Sequence, residues 1–186
     1  MRRLPMLVFV AALFVGSACS KSTDIRTVAD FDDHPCALFT NDALSRIVAD
    51  PYEALAGVTP TLKGTQASKT GGETFACTYS FEAQGAEVPQ VSTMTVTVAH
   101  MRKGSQPLAI CMAGAMTNAA GYESEKIGDQ ACLSPSSDLW MKIGNEYFHV
   151  VVVPQPGFPN PVDAHFALSP VILAVATAAA DRMPKT

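Results

Sequence analysis

The chain is 186 residues long, with thirteen basic and seventeen acidic residues, a net charge of −4 and 48% hydrophobic residues. That length suits one domain with a proper core. The acidic balance, with no basic run after the first three residues, argues against nucleic acid and against electrostatic attachment to anionic lipid headgroups.

Arg2 and Arg3 precede an apolar run from Leu4 to Val15, and Gly16-Ser17-Ala18 then lead into Cys19. A positive start and an apolar core of about a dozen residues make a secretory signal. The run is too short for a membrane span, which takes roughly 20 residues. Small residues abutting a cysteine resemble the lipobox of bacterial lipoproteins, with Gly16 standing where leucine or valine is commoner. The resemblance implies removal of residues 1–18, diacylation of the Cys19 thiol, and attachment of the protein to a membrane through that lipid. Each buried methylene contributes about 0.8 kcal/mol to such an anchor. Ser20 follows the cysteine, where an aspartate would retain an enterobacterial lipoprotein at the inner membrane. The expected address is therefore outside the cytoplasm, on the cell membrane or an outer membrane, facing periplasm or exterior.

Residues 19–33 are polar, with scattered acids and no periodicity, and read as a tether. A single domain is expected over 34–186. Thr40 is placed to cap a helix carrying Leu44, Ile47 and Val48 on one face, ended by Pro51. From Tyr52 to Gly72 the chain is rich in Gly, Thr, Lys and Pro, which predicts a long surface loop. Phe75, Cys77, Tyr79 and Phe81 then alternate with smaller or polar residues, the pattern of a strand with one buried face. A second strand runs from Val91 to Met101, with Met94, Val96 and Val98 inward. Pro107 suits the first position of a helix bearing Leu108, Cys111, Met112, Ala115, Met116 and Ala119, stopped by Gly121.

Ala131-Cys132-Leu133 predicts a short strand. Leu139–Ile143 and Glu146–Val153 flank Gly144-Asn145 as a hairpin. Pro154, Pro156, Pro159 and Pro161 predict an extended linker. Ser169-Pro170 opens a last helix to about Arg182. Within it, Val171–Ala180 is apolar but too short to cross a membrane. The order gives an α+β domain: an antiparallel sheet of about five strands with three helices, as a two-layer sandwich.

Four cysteines remain after Cys19: Cys36, Cys77, Cys111 and Cys132. An even number in an exported chain predicts two disulfides, with three possible connectivities. Sequential pairing closes the two short loops. Their spacing fits no C-x-x-C or zinc-ribbon pattern.

Asp33-His34-Pro35-Cys36-Ala37-Leu38-Phe39-Thr40 resembles the D-x-C-x-L-L-T opening of a group of actinobacterial cell-envelope lipoproteins of unknown function. Cys77-Thr78-Tyr79 is similar to their C-T-W/Y strand, and Ile127-Gly128-Asp129-Gln130-Ala131 to their G-x-G-D-x-A turn. The motifs cover residues 33–153 loosely. The chain departs from the pattern in His34-Pro35 before Cys36, and in Cys111 and Cys132. The resemblance implies a Cys36–Cys77 bridge and a PsbP-like fold, and brings no catalytic residues.

No catalytic residue, metal site or cofactor is expected, because no H-x-H, H-E-x-x-H or G-x-S-x-G pattern is present. His34 beside Asp32 and Asp33 sits where adjacent side chains rarely converge on a metal. Met112 and Met116 fall on the packed helix face and read as core filler. The hairpin register places Trp140 opposite His149 and Lys142 opposite Tyr147 on one sheet face. These four residues form a candidate binding patch, unless loop 52–72 or the proline linker covers them. Leu139, Met141, Ile143, Phe148, Val150 and Val152 make the opposite, core face. The functional expectation is a non-enzymatic envelope lipoprotein that binds a protein or another envelope component. The rival is a small-ligand or metal-binding carrier with a pocket between helices and sheet.

Overall fold

The first helix of the computed structural model, α1 (Val28–Asp33), is set by a reciprocal cap. The Thr27 hydroxyl accepts the Asp30 amide at 3.1 Å, and the Asp30 carboxylate accepts the Thr27 and Arg26 amides at 2.8 and 3.0 Å. The hydrogen bond from Thr27 is the chief cause holding the Asp30 carboxyl below its ordinary range. The structure describes residues 25–155, 157–158 and 161–183. Helix α1 lies in the stretch read as a tether, yet it buries Phe31 completely, edge-on to Phe148 with ring centroids 6.0 Å apart. Packed structure therefore starts ahead of residue 34.

Thr40 caps α2 (Asn41–Ala56), accepting the Ala43 amide at 3.2 Å. Leu44, Val48, Tyr52 and Ala56 recur every four residues as its buried stripe. The helix does not stop at Pro51. An internal proline costs about 3 kcal/mol, and the last turn is held regardless by burial of Tyr52 and Ala56 and by the Tyr52 hydroxyl donating to the Val91 carbonyl. Gly57, in the left-handed region at φ 74°, ends it.

The expected loop 52–72 is instead the end of α2 and a ten-residue edge strand, β1 (Thr61–Thr70), paired along β2 (Thr74–Glu82). Nearly every β1 residue is exposed, so no period-two burial marks it in the sequence. Strand β3 (Thr93–Met101) follows, with Met94, Val96 and Val98 buried as expected. Helix α3 (Ser105–Met116) starts ahead of Pro107 and ends short of Ala119 and Gly121. Leu108 and Cys111 are its buried residues, while Met116 is 81% exposed, so Met116 is not core filler.

A short strand, β4 (Glu123–Glu125), precedes β5 (Gln130–Ser134), β6 (Asp138–Ile143) and β7 (Glu146–Gln155). Pro154 is a strand residue opposite Met94, and Pro161 already begins α4 (Pro161–Arg182), which runs through Pro170. The expected proline linker therefore shrinks, and its Pro156 and Pro159 lie outside the described residues. Helix α4 is long and apolar enough, by length and composition, to cross a membrane. Here Leu168, Val171, Ile172, Val175, Ala176 and Ala179 are fully buried within the main core.

All strands are antiparallel, in the order β1-β2-β3-β7-β6-β5-β4. The α+β class with an antiparallel sheet holds. Seven strands and four α-helices replace the expected five and three, because β1, β4 and α1 are too polar or too short to show a period. Helices α1, α2 and α4 contribute to the main core on one sheet face. Helix α3 packs on the other face through Leu108, Cys111 and Cys132, so a plain two-layer sandwich is not what forms.

Of the three possible pairings the chain takes the sequential one. Cys36–Cys77 ties the turn Pro35–Ala37 to β2, with Cα atoms 4.9 Å apart. Cys111–Cys132 clamps α3 to β5, with Cα atoms 5.9 Å apart.

Candidate functional site

The hairpin β6–β7 has the register read from its turn: Trp140 opposite His149, and Lys142 opposite Tyr147. Side chains alternate across a strand, so these four share a face and all are half-buried. Leu139, Met141, Ile143, Phe148, Val150 and Val152 are buried on the other face. The turn is braced from outside. Gly128, at φ 61°, passes so close that an added Cβ would lie 2.6 Å from the Lys142 carbonyl oxygen. That approach lets the Asp129 amide donate to the Lys142 carbonyl at 2.8 Å and the Asp129 carboxylate accept the Gly144 amide at 2.6 Å. The Gly128-Asp129 pair thus has a structural task, fixing the hairpin that carries the patch.

On the patch itself, the Trp140 and His149 rings stack with centroids 3.8 Å apart and planes 13° apart. His149 Nε2 lies 2.8 Å from Asp138 Oδ2, and the Ser134 hydroxyl meets the other Asp138 oxygen. Burial alone would raise the Asp138 carboxyl. Hydrogen bonds from His149 and Ser134, the charge of His149 and a hydrogen bond from Trp140 outweigh it and hold the group below its ordinary value. Asp138 and Ser134 were not among the residues singled out from the sequence. Asp138 was within reach, since it stands two residues before Trp140 and so projects from the same face.

Among the described residues the cover over this face is α3, while the 52–72 segment forms the end of α2 and the edge strand β1. Trp140 and Tyr147 pack against Leu108, Cys111 and Cys132. Gly104 lets α3 begin there, because a Cβ on it would come within 2.3 Å of the Tyr147 Cβ. The patch is a half-open seam between a helix and a hairpin. Chemically it offers a fixed aromatic stack, one amine and one oriented imidazole. The Ser134 hydroxyl donates to Asp138 rather than to His149, so the serine–histidine contact of a nucleophilic triad is not made at this patch.

A second polar cluster joins α1, β3 and β7. His100, 2% exposed, sits between the rings of Phe75 and Phe148. Its Nδ1 is 2.6 Å from Asp32 Oδ1 and its Nε2 2.9 Å from Glu146 Oε2, and Arg102 pairs with the second Asp32 oxygen at 3.2 Å. Asp32 therefore turns into the fold while His34 stays exposed, and the two do not converge as metal ligands. Cys19 lies outside the described residues. An open concavity of about 490 Å³ on the outer side of α2 is lined by Asp50, Glu53, Ala54 and Gly57. It is acidic, and it is not an apolar pocket between helices and sheet. No family model, curated protein or solved structure matches the chain.

Proposed function

We propose that the protein is an exported lipoprotein, anchored to a membrane through acyl chains on Cys19. Its domain is a non-enzymatic module that binds an envelope protein or another envelope component through the β6–β7 face. The observation that carries the binding reading is the rigid Trp140–His149 stack, oriented by Asp138 and flanked by Lys142 and Tyr147. A preorganised aromatic pair with polar tips is the kind of anchor on which protein interfaces concentrate their energy. The Arg2-Arg3 start, the apolar run and the small residues before Cys19 support export and lipidation. Two disulfides in a chain of this size suit an oxidising compartment. The actinobacterial-type motifs, and the PsbP-like fold they imply, belong to the same reading.

The test is partner retention from detergent-solubilised envelope by the full-length protein and by Trp140→Phe and Lys142→Ala. Both substitutions spare most of the packing against α3. Loss of the same partner in both, with each variant still folded and melting cooperatively, is the expected result. An unchanged partner profile counts against this face.

A further inference from the structure

Helix α4 carries a histidine whose chemistry the hairpin face does not use. His165 is 2% exposed, and its Nδ1 lies 3.0 Å from the Ser134 carbonyl oxygen. A carbonyl only accepts, so Nδ1 donates to it, and Nε2 is the ring nitrogen left for another partner. That Nε2 is fully buried and has no hydrogen-bond partner among the described residues. A buried polar atom left unsatisfied is unfavourable, and it calls for something to occupy it. The charged group facing it is Glu123 Oε1 at 3.8 Å, too far for a hydrogen bond. Glu123 and Glu125 leave the edge strand β4 two residues apart and so on one face. The unpartnered imidazole nitrogen thus faces a strand edge that carries two carboxylates on one face.

We propose that His165 Nε2, Glu123 and Glu125 bind one divalent transition-metal ion of the zinc class, at the edge where β4 meets α4. A histidine fixed through one nitrogen on a backbone carbonyl, with the other nitrogen directed at a carboxylate, has the arrangement of a metal ligand. Zinc bonds to nitrogen and to carboxylate oxygen are both about 2.0–2.2 Å, so one ion spans the 3.8 Å between Nε2 and Oε1. Glu123 is half exposed and free to draw in, and Glu125 supplies a third ligand. No three His, Cys, Asp or Glu side chains stand ready as a closed ligand set among the described residues. Binding therefore requires Glu123 and Glu125 to draw in toward Nε2.

Detergent-solubilised full-length protein, stripped with chelator, is titrated with zinc chloride by calorimetry and with cobalt(II) by visible absorption. One equivalent should bind, with a cobalt spectrum of low coordination number. Glu123→Gln, at an exposed position that leaves the core untouched, should weaken binding at least tenfold, and His165→Gln should abolish it. His34→Gln should change nothing. Absence of one-to-one binding, binding indifferent to Glu123→Gln, or binding lost in His34→Gln would each overturn the site and leave His165 as a plain partner of Glu123. The readout is independent of the hairpin patch, so either proposal can fail without the other.

Discussion

The indole of Trp140 lies almost parallel on the imidazole of His149, centroids 3.8 Å apart, on the one hairpin of the sheet whose turn is braced by Gly128 and Asp129. The stack is also the meeting point of two structural devices: the Asp138 carboxylate fixes one ring, and α3, clamped by Cys111–Cys132, supports the other. Trp140→Ala removes both contacts at a half-buried site and should destabilise the domain by about 1–3 kcal/mol, below the 3–5 typical of a fully buried aromatic. Trp140→Phe should lose less than half of that. Urea melts followed by far-ultraviolet circular dichroism measure both.

Asp138 makes part of the stability acid-sensitive. Its carboxyl is held below the ordinary value of 3.8 in the folded protein. The stabilisation it contributes is therefore complete above that pH and is lost as the pH falls through the lower folded value. Asp138→Asn should lower stability at neutral pH and flatten the fall between neutral and strongly acidic solution. An unchanged slope would show that Asp138 is not held by His149 and Ser134.

Helix α1 is predicted to be part of the cooperative unit. Phe31→Ala should cost about 3–5 kcal/mol, although it lies in a stretch with no sequence periodicity. Asp32→Ala leaves one ring nitrogen of the buried His100 without its partner, and an unsatisfied buried polar group costs about 1–3 kcal/mol. Thermal melts test both. If either variant melts like the parent, α1 is only loosely docked.

How far these features were legible follows from what each residue had to signal. The hairpin could be read in full, because Gly144-Asn145 fixes the register and strict alternation fixes the faces. The strand from Phe75 and the one carrying Met94, Val96 and Val98 were equally plain. The latter pattern continues to His100, which could have been placed inward from it. Strand β1 was hidden because an edge strand exposed on both sides has no alternation. Helices α2 and α4 were cut short at Pro51 and Pro170, where burial of Tyr52 and Ala56, and of Val171 and Ile172, outweighs the local cost of proline. The Asp30 carboxylate, three residues after Thr27, was a cap signal in the supposed tether. His165 gave none, since its significance lies in a carbonyl and two acids distant in sequence.

The Gly128-Asp129 turn predicts a sharp intolerance. Gly128→Ala places a side chain at φ 61° and against the Lys142 backbone carbonyl. The backbone conformation alone costs about 1–2 kcal/mol, so a total loss of more than about 2 kcal/mol is expected. Asp129→Ala, which removes the bond from the Gly144 amide, should cost about 1–3 kcal/mol and broaden the hairpin resonances in NMR spectra.

The two disulfides should be separable. By the loop-closure relation Cys36–Cys77 contributes about 4 kcal/mol and Cys111–Cys132 about 3. Replacing the first pair with serine should unsettle the whole domain. Replacing the second should release α3 and raise hydrogen exchange in residues 105–116 first.

The most direct test of the account is the intact mass of the protein extracted from membranes, taken before and after reduction and alkylation. The expected mass is that of residues 19–186 plus acyl chains, with Cys36, Cys77, Cys111 and Cys132 alkylated only after reduction. A mass that still includes residues 1–18, an unacylated Cys19, or thiols that react without reduction would contradict it.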